Sequence, residues 1–307
     1  MRWRASIWRL IRTNEIYVRS VLNRHKRRDD WFLDDYSVNP YSGCGFNCIY
    51  CYVRGSKYGE NMAETLSVKV NAPEVLEHQL RKRALRREYG IIALSTSTEP
   101  YMQIEKKYEI TRKLLEIILK YRFPIHILTK SNLILRDLDL LGEIDEKAIL
   151  PSDLRDKLKC GVIISFSLST LDERLAGILE PGAPKPEERL KTLLKCREEG
   201  FRAGVCYIPV LPYLSDTNEQ LEEMIVTARD YGADYCMAGA LTLYGSGPSD
   251  SKTLYYNFLK REDPDLIVKY ERLYGGSFQP KREYQRRLEE RVKRICLKHG
   301  VKYRIIM

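Results

Sequence analysis

Three of the eight cysteines in the chain fall within one short loop, as Cys44, Cys48 and Cys51. Spacers of three and then two residues let this loop wrap three corners of a polynuclear metal centre, provided that the backbone bends sharply at Gly43 and Gly45. Electron-transfer iron–sulfur clusters use four cysteines, and no fourth cysteine is local. A [4Fe–4S] cluster bound here would keep one iron open to a further ligand, which is typical of catalytic sites.

A structural zinc site is the alternative for this loop. Zinc prefers four ligands, arranged as two Cys-x-x-Cys pairs or as paired cysteines and histidines. None of the four histidines is spaced as a partner, and the other five cysteines are scattered without such pairing. The pattern also differs from the disulfide framework of a small secreted protein and indicates a reducing compartment. We therefore favour the iron–sulfur cluster and expect a cytoplasmic protein.

The residues from Tyr36 onward alternate between short apolar runs and amphipathic helical stretches. Strands are predicted at Tyr36–Tyr41, Gly90–Ser95, Pro124–Thr129, Val162–Leu168, Arg202–Ile208 and Asp234–Leu241. Helices are predicted at Pro73–Tyr89, Lys106–Tyr121, Leu133–Leu141, Pro186–Glu199 and Asn218–Tyr231. Alternation of this kind predicts parallel strands with right-handed crossovers. Six units make a partial (β/α)6 barrel, and the cysteine loop follows its first strand, where barrels place their chemistry.

The flanking segments predict three regions: a basic N-terminal extension at 1–35, the barrel at 36–244 and a basic helical extension at 245–307. Met1–Asn14 alternates apolar and arginine residues, which predicts an amphipathic helix packed on the body of the protein. The C-terminal region predicts two helices, Lys252–Leu273 and Pro280–His299. Gly142–Leu158 is interpreted as an inserted excursion before the fourth strand.

Basic residues exceed acidic ones by 52 to 42 among 307 residues, for a net charge of +10. The excess is clustered in Arg24–Arg28, Arg81–Arg87 and Lys281–Arg304. Such clusters suit a polyanion, because neutralising phosphates releases condensed counterions; the alternative is solvated helix faces paired with glutamates. Hydrophobic residues make up 44%, which excludes a disordered chain, and no apolar run is long enough to span a membrane.

The cysteine loop and the segments around it resemble the radical S-adenosylmethionine superfamily, and within it the spore photoproduct lyase-like branch. The matching strings extend over roughly residues 36–275. They are Asn39–Cys44, Cys48–Tyr52, Thr98–Tyr101 with Ile104–Glu105, Leu128–Ser131, Arg136–Leu141, Ser165–Ser167 and Leu179–Pro184. The resemblance implies an enzyme in which the open iron binds S-adenosylmethionine. One electron then cleaves the sulfonium and gives methionine and a 5′-deoxyadenosyl radical, which abstracts hydrogen from a substrate.

The resemblance also implies roles for side chains around the barrel mouth. Tyr50 resembles the aromatic residue near the adenine, and Tyr52 its neighbour at the sugar or amino group. The turn Thr98–Glu99 resembles the acceptor of the methionine ammonium. Lys130 resembles the lysine that meets the methionine carboxylate, and Ser167 a serine near the ribose or carboxylate. A carboxylate favours a cation and an ammonium favours oxygen acceptors, so these types suit that ligand.

The sequence departs from photoproduct lyases in one place. Those enzymes carry a cysteine just ahead of the second-strand turn, which returns a hydrogen atom to the product; here the region is Ser95–Thr98. A hydroxyl O–H is too strong a bond to replace that thiol, so the resemblance does not extend to thymine-dimer repair by this route. The candidate hydrogen donors are Tyr50, Tyr52, Tyr101, Cys206 and Cys236.

Three functions remain open at this point. The first is a radical enzyme that abstracts hydrogen from DNA or RNA, and the second has the same chemistry on a protein or small molecule. The third is a non-catalytic iron–sulfur or zinc protein that binds nucleic acid. The first two need a reductant, such as flavodoxin or ferredoxin.

Overall fold

The structure is a computed structural model that describes residues 12–56, 59, 62 and 65–307. Its strands within these ranges are β1 (Arg12–Ile16), β2 (Leu22–Arg24), β3 (Tyr36–Val38), β4 (Tyr41–Ser42), β5 (Thr65–Lys69), β6 (Ile92–Leu94), β7 (Ile125–Thr129), β8 (Val162–Ser167), β9 (Arg202–Val210) and β10 (Cys236–Ala240). The helices are α1 (Ala72–Leu85), α2 (Glu105–Tyr108), α3 (Ile110–Tyr121), α4 (Leu138–Lys147), α5 (Glu173–Leu179), α6 (Pro186–Glu198), α7 (Asn218–Asp230), α8 (Ser251–Glu262), α9 (Leu266–Tyr274) and α10 (Arg282–Lys298). A 3-10 segment, Asn132–Asp137, leads into α4.

The main sheet has the order β10–β9–β8–β7–β6–β3–β2. Its neighbours are parallel except for β2, which runs antiparallel to β3. Six consecutive parallel strands with helical crossovers confirm the predicted α/β partial barrel. Each strand lies within its predicted range, except that β9 continues two residues further, to Val210. A smaller sheet, β1–β5–β4, lies beside the start of the barrel.

The N-terminal extension differs from the prediction. Residues 1–11 of the predicted helix lie outside the described residues, and Arg12–Asn14 belongs to β1, which pairs in parallel with β5. The side-chain amide of Asn71 accepts from Val18 N (2.8 Å) and donates to Val18 O (2.9 Å), which fixes the chain just after β1. Backbone pairing with β5 therefore replaces helical hydrogen bonds in this segment.

Several predictions in the helical regions needed correction. The helix predicted over Lys106–Tyr121 is divided into α2 and α3 at Glu109, which has φ 53°. The helix predicted over Leu133–Leu141 begins as the 3-10 segment and continues as α4.

The single helix predicted over Lys252–Leu273 is divided into α8 and α9, because Pro264 cannot donate a backbone hydrogen bond and disfavours helical geometry at Asp263. Asp263 has φ −156° and ψ 86°. The excursion predicted from Gly142 begins later, since Gly142 lies inside α4.

The hydrophobic core forms separate clusters, one of which includes the cysteine loop. Phe46, Cys48 and Tyr50 pack with apolar residues of α8 and α9, among them Leu259 and Tyr270. The region after residue 244 thus contributes to the environment of the loop, and the proposed domain boundaries stay predictions. No helix within the described ranges is long and apolar enough to span a membrane.

The loop between β2 and β3 packs against the face of the main sheet opposite the helices. Leu33 lies in a cluster with Ile163 and Met237. The carbonyl of Phe32 is 2.8 Å from His126 Nδ1 in β7, and His126 Nε2 is 2.8 Å from Ser165 Oγ in β8. This loop therefore fills part of the inside of the barrel.

Candidate functional site

A cavity of about 350 Å³ lies at the carboxyl ends of the parallel strands. The three loop cysteines line it, together with nearly all of the predicted site residues from the barrel. Those residues are Tyr50, Tyr52, Thr98, Glu99, Lys130, Ser167 and Cys206. Lys130 directly follows β7, Ser167 ends β8, and Thr98 and Glu99 follow β6. Parallel strands end at one edge, so residues far apart in the sequence meet here.

The cysteine loop bends at two left-handed residues. Gly43 has φ +86°, and a Cβ at this position would lie 2.6 Å from Thr65 O, so only glycine fits. The second is Asn47, with φ 54°, and not Gly45 as the sequence suggested. Asparagine is one of the few residue types that adopt this conformation readily.

Three contacts hold the loop to the barrel and to the C-terminal region. Thr98 Oγ1 donates to Gly43 O at 2.5 Å. The buried guanidinium of Arg54 donates to Cys48 O from Nε and to Ser249 O from Nη1, both at 3.1 Å. No sequence pattern indicated Arg54, because both of its carbonyl partners depend on the folded chain.

The segment Leu179–Pro184 closes the loop from the other side. Ile49 N donates to Leu179 O at 2.9 Å, and Gly182 N donates to Phe46 O at 3.0 Å. A Cβ on Gly182 would lie 2.5 Å from Gly45 O, so a side chain there would push the two segments apart. This contact gives a physical reason for the string from Leu179 to Pro184, to which the sequence assigned no role.

A buried ion pair lies beneath the cysteines. Glu180 and Arg189 side chains are each 1% exposed and bonded to one another. The hydroxyl of Tyr50 also donates to Glu180, and Ser169 Oγ donates to Glu180 Oε1 at 3.1 Å. Burial raises the pKa of Glu180, but the charges of Arg189 and Lys130, together with the hydrogen bonds that Glu180 accepts, outweigh this effect and the pKa is lowered. The sequence did not predict this pair, because an arginine in a predicted helix is usually exposed on the surface.

Lys130 brings a positive charge to the cavity wall. Its Nζ donates to Ser167 Oγ at 2.7 Å and lies 3.9 Å from Glu180 Oε1. Burial by itself lowers the pKa of Lys130, but the negative groups around it, of which Glu180 has the largest effect, together outweigh burial and the pKa is raised. The ammonium therefore remains charged and held between β7 and β8.

Glu99 is buried and already accepts several hydrogen bonds from the protein. Its Oε1 accepts from Tyr101 N (3.1 Å) and from Thr129 Oγ1, and its Oε2 accepts from Lys130 N (3.0 Å). Burial raises its pKa. A carboxylate has about four acceptor positions, so Glu99 holds the start of the Lys130 segment in place and keeps room for one further donor.

The predicted aromatic residues occupy different environments. Tyr50 is buried and tied to Glu180, whereas Tyr52 is 50% exposed and donates to Thr96 O at the cavity edge. Tyr101 does not line the cavity: it is 1% exposed and lies near Asp137 and Glu105, which add to the effect of burial in raising its pKa. Tyr101 therefore gains no support as a hydrogen donor.

The two cysteines that are candidate hydrogen donors also lie in different environments. Cys206 lines the cavity from β9, and burial raises the pKa of its thiol to about 12. Cys236 is fully buried in the core cluster and does not line the cavity. Ser95, in the region that lacks the expected cysteine, has φ 69° and a buried hydroxyl without a hydrogen-bond partner among the described residues.

The donor set fits an iron–sulfur cluster. The three thiols come from one loop and share one cavity. Within the described residues, no three His, Cys, Asp or Glu side chains converge closely enough to hold a single metal ion. In a polynuclear cluster each thiolate binds a different iron, so such convergence is not needed. The zinc alternative gains no support from this arrangement.

Comparison with known proteins settles the family. The family model of the Radical SAM superfamily matches residues 38–228, which include the cysteine loop and the ends of β6, β7 and β8. The chain belongs to the radical SAM superfamily. It is therefore an enzyme, and membership implies S-adenosylmethionine, an iron–sulfur cluster and a reductant. The non-catalytic interpretation is thereby set aside.

Two relatives are similar to much of this chain. An uncharacterised protein of Mycobacterium tuberculosis is 31% identical over 271 residues, which are 86% of this chain and 74% of the relative. The Radical SAM Nalpha-GlyT isomerase of Pseudomonas phage M6 is 26% identical over 190 residues, which are 62% of this chain and 36% of that protein.

The fold is similar to that of spore photoproduct lyase. A solved structure of that enzyme, complexed with dinucleoside spore photoproduct, has a TM-score of 0.63 at 16% identity and covers 92% of this chain and 79% of its own. A point mutant of the same enzyme has a TM-score of 0.64 with the same coverage. At this identity the likeness shows the radical SAM fold and not the reaction.

Proposed function

We propose that the chain holds a [4Fe–4S] cluster on Cys44, Cys48 and Cys51, binds S-adenosylmethionine in the cavity beside it, and abstracts hydrogen from a nucleic acid. The observation that carries the proposal is that the three thiols share one cavity with Lys130 at the carboxyl ends of the parallel strands. Its volume of about 350 Å³ falls within the range of small-molecule sites. With both groups bound, reductive cleavage of the sulfonium would supply a 5′-deoxyadenosyl radical.

The charged and polar residues would orient the methionine part of the cofactor. Lys130 supplies the cation for the carboxylate, and Ser167, which already contacts Lys130 Nζ at 2.7 Å, adds a hydroxyl beside it. Glu99 keeps one acceptor position for the ammonium, and Thr98 is held at the loop by Gly43. The cavity thus offers the Lys130 cation to the methionine carboxylate and oxygen acceptors to the methionine ammonium.

The remaining cavity residues would hold the adenosyl side and the substrate. Tyr50 lies next to Cys51 and is fixed by Glu180, so its ring can pack against the adenine. Tyr52, at the cavity edge, faces the sugar or the substrate. Cys206 is the donor candidate that the cavity geometry favours, because its thiol is on the wall while Cys236 is not. An external reductant such as flavodoxin or ferredoxin would supply the electron.

Two observations support a nucleic acid as the substrate. The net charge is +10, which favours binding to a polyanion. Of the proteins compared above, the spore photoproduct lyase is complexed with a dinucleoside spore photoproduct. A protein or small-molecule substrate is the second candidate and is separated by the following experiment.

Deuterium transfer into 5′-deoxyadenosine tests the substrate class. The anaerobically reconstituted enzyme is reduced with dithionite in the presence of perdeuterated single-stranded DNA, double-stranded DNA or RNA, and the product is analysed by mass spectrometry. We expect deuterium in 5′-deoxyadenosine with at least one of these polymers and none with their unlabelled forms. If all three polymers give unlabelled product while a perdeuterated protein extract gives labelled product, the nucleic-acid proposal is wrong.

A further inference from the structure

The main sheet ends on β2, a strand of only three residues that forms one edge of the partial barrel. The loop after β2 turns to the inside of the barrel and packs there through Leu33. Anything that enters the barrel past this edge must therefore cross β2 or the loop that follows it.

Basic side chains surround a small pocket on the helix side of this edge. The pocket has a volume of about 210 Å³ and is lined by Arg24 from β2 and by Lys82, Arg83 and Arg86 from the end of α1. Arg83 is paired with Glu88. In the part of the chain that the structure describes, Arg24, Lys82 and Arg86 are exposed and make no ion pair. The fold thus joins two basic clusters that are more than 50 residues apart, since Arg24 and Lys82 are 58 positions apart in the sequence.

A groove lies on the other side of the edge. It has a volume of about 540 Å³, and its walls include Arg27 and Arg28. Both guanidinium groups are already paired with aspartates, so the phosphates are assigned to the basic side chains on the helix side of the edge. Phe32, Tyr52 and Thr96 line both this groove and the cavity that contains the cysteines. A group bound in the groove would therefore lie directly beside the reaction cavity.

Asp34 adds a buried carboxylate oxygen without a hydrogen-bond partner, among the described residues, at the wall of the groove. It lines the groove and is only 4% exposed. Its Oδ2 lies 3.1 Å from His25 Nδ1, but its Oδ1 has no hydrogen-bond partner among the described residues. Buried acceptors are rarely left unpaired. A ligand N–H or O–H, such as the amino group of a base or a sugar hydroxyl, would supply the missing donor.

The third basic cluster, on α10, has a different character. Arg286 is paired with Glu290 and Arg287 with Glu283, in each case one helical turn away. Lys298 is paired with Glu222. These pairs fit the alternative interpretation of a solvated helix face, so the C-terminal cluster serves as a control surface.

We propose that a single-stranded polynucleotide enters the barrel across β2, with its phosphates on Arg24, Lys82 and Arg86 and a neighbouring nucleotide in the groove against Phe32 and Asp34. This inference rests on the proposed function and narrows its substrate to a polymer. A base must leave its stack to reach an enclosed cavity, which favours a single strand. An acidic electron-donor protein would also suit a basic surface, but it would not need a groove that opens into the cavity.

The test compares two triple variants of the full-length, cluster-loaded protein. The first is Arg24→Gln/Lys82→Gln/Arg86→Gln, and the control on α10 is Arg286→Gln/Arg287→Gln/Arg294→Gln, which removes the same charge. Fluorescein-labelled single-stranded DNA and RNA are titrated by anisotropy at several salt concentrations. For three lost phosphate contacts, the slope of log K against log salt should become shallower by about 2, at about 0.7 per contact. The dissociation constant at low salt should rise roughly tenfold or more, while the control stays close to wild type.

Each outcome decides between the possibilities. Equal losses in both triple variants would overturn the inference, because net charge and not the β2 edge would then control binding. The inference would also be overturned if the first variant bound oligonucleotides as the wild type does but bound flavodoxin more weakly. That result would assign the surface to the electron donor. If oligonucleotide affinity depends on the β2 edge but no deuterium is transferred from the polymer, the proposed reaction on nucleic acid is wrong and the binding surface is confirmed. If deuterium is transferred and the first variant binds normally, only this inference fails.

Discussion

Replacing Cys48 with alanine is expected to abolish iron loading and to leave the fold largely intact. Cys48 is one of three ligands in the loop, and a cluster held by the other two would lose a corner that no other loop residue can replace. The side chain packs against Phe46 and Tyr50, and removing one sulfur atom should lower the free energy of unfolding by only about 1 kcal/mol. Iron and sulfide content after anaerobic reconstitution, with circular dichroism for the fold, measures both effects.

Cys196→Ala is the matched control for this variant. Cys196 is fully buried in α6 and does not line the cavity, so the change removes the same atom from the core and leaves the ligands in place. Its iron content should equal that of the wild type. Wild-type iron in Cys48→Ala would refute the ligand assignment.

Replacing Arg189 with methionine is expected to lower the free energy of unfolding by about 3–5 kcal/mol, because it strands a buried carboxylate. Glu180 would remain buried beneath Cys48 without its main ion-pair partner. Its carboxylate, which accepts the hydrogen bond from Tyr50, would then no longer be held in place by Arg189. The double variant Arg189→Met/Glu180→Gln removes both charges and should recover much of the loss. Urea unfolding of the single and double variants measures the difference.

A surface pair provides the comparison for Arg189. Lys191 and Glu187 are also in α6 and are 61% and 56% exposed, so Lys191→Met should leave the free energy of unfolding close to that of the wild type. If Arg189→Met behaves like Lys191→Met, the buried pair does not stabilise the site.

The sequence was sufficient for the barrel and for the position of the cysteine loop after its first strand. Parallel strands between helices produce apolar runs and a regular alternation, so β3 and β6–β10 could be predicted. The cysteine spacing is local, and so is the bend at Gly43. The strand ends then place Lys130 and Ser167 near the loop by topology alone, and their contact at 2.7 Å agrees with that expectation.

The parts that could not be predicted depend on contacts between distant segments. Arg54 and Arg189 look like ordinary surface charges until the fold buries them against carbonyls and Glu180. The turn after Pro100 directs Tyr101 away from the cavity, which no periodicity reveals. The loop after β2 fills part of the inside of the barrel, although its charged sequence predicted only a basic N-terminal extension.

Product analysis of the reduced, cluster-loaded enzyme tests the central claim most directly. The protein is reconstituted anaerobically, mixed with S-adenosylmethionine and dithionite, and the products are quantified by liquid chromatography and mass spectrometry. The structure and the family predict methionine and 5′-deoxyadenosine in equal amounts, at a level that falls to background in Cys48→Ala. Fully loaded wild-type protein that forms no 5′-deoxyadenosine would contradict the assignment of this cavity as a radical S-adenosylmethionine site.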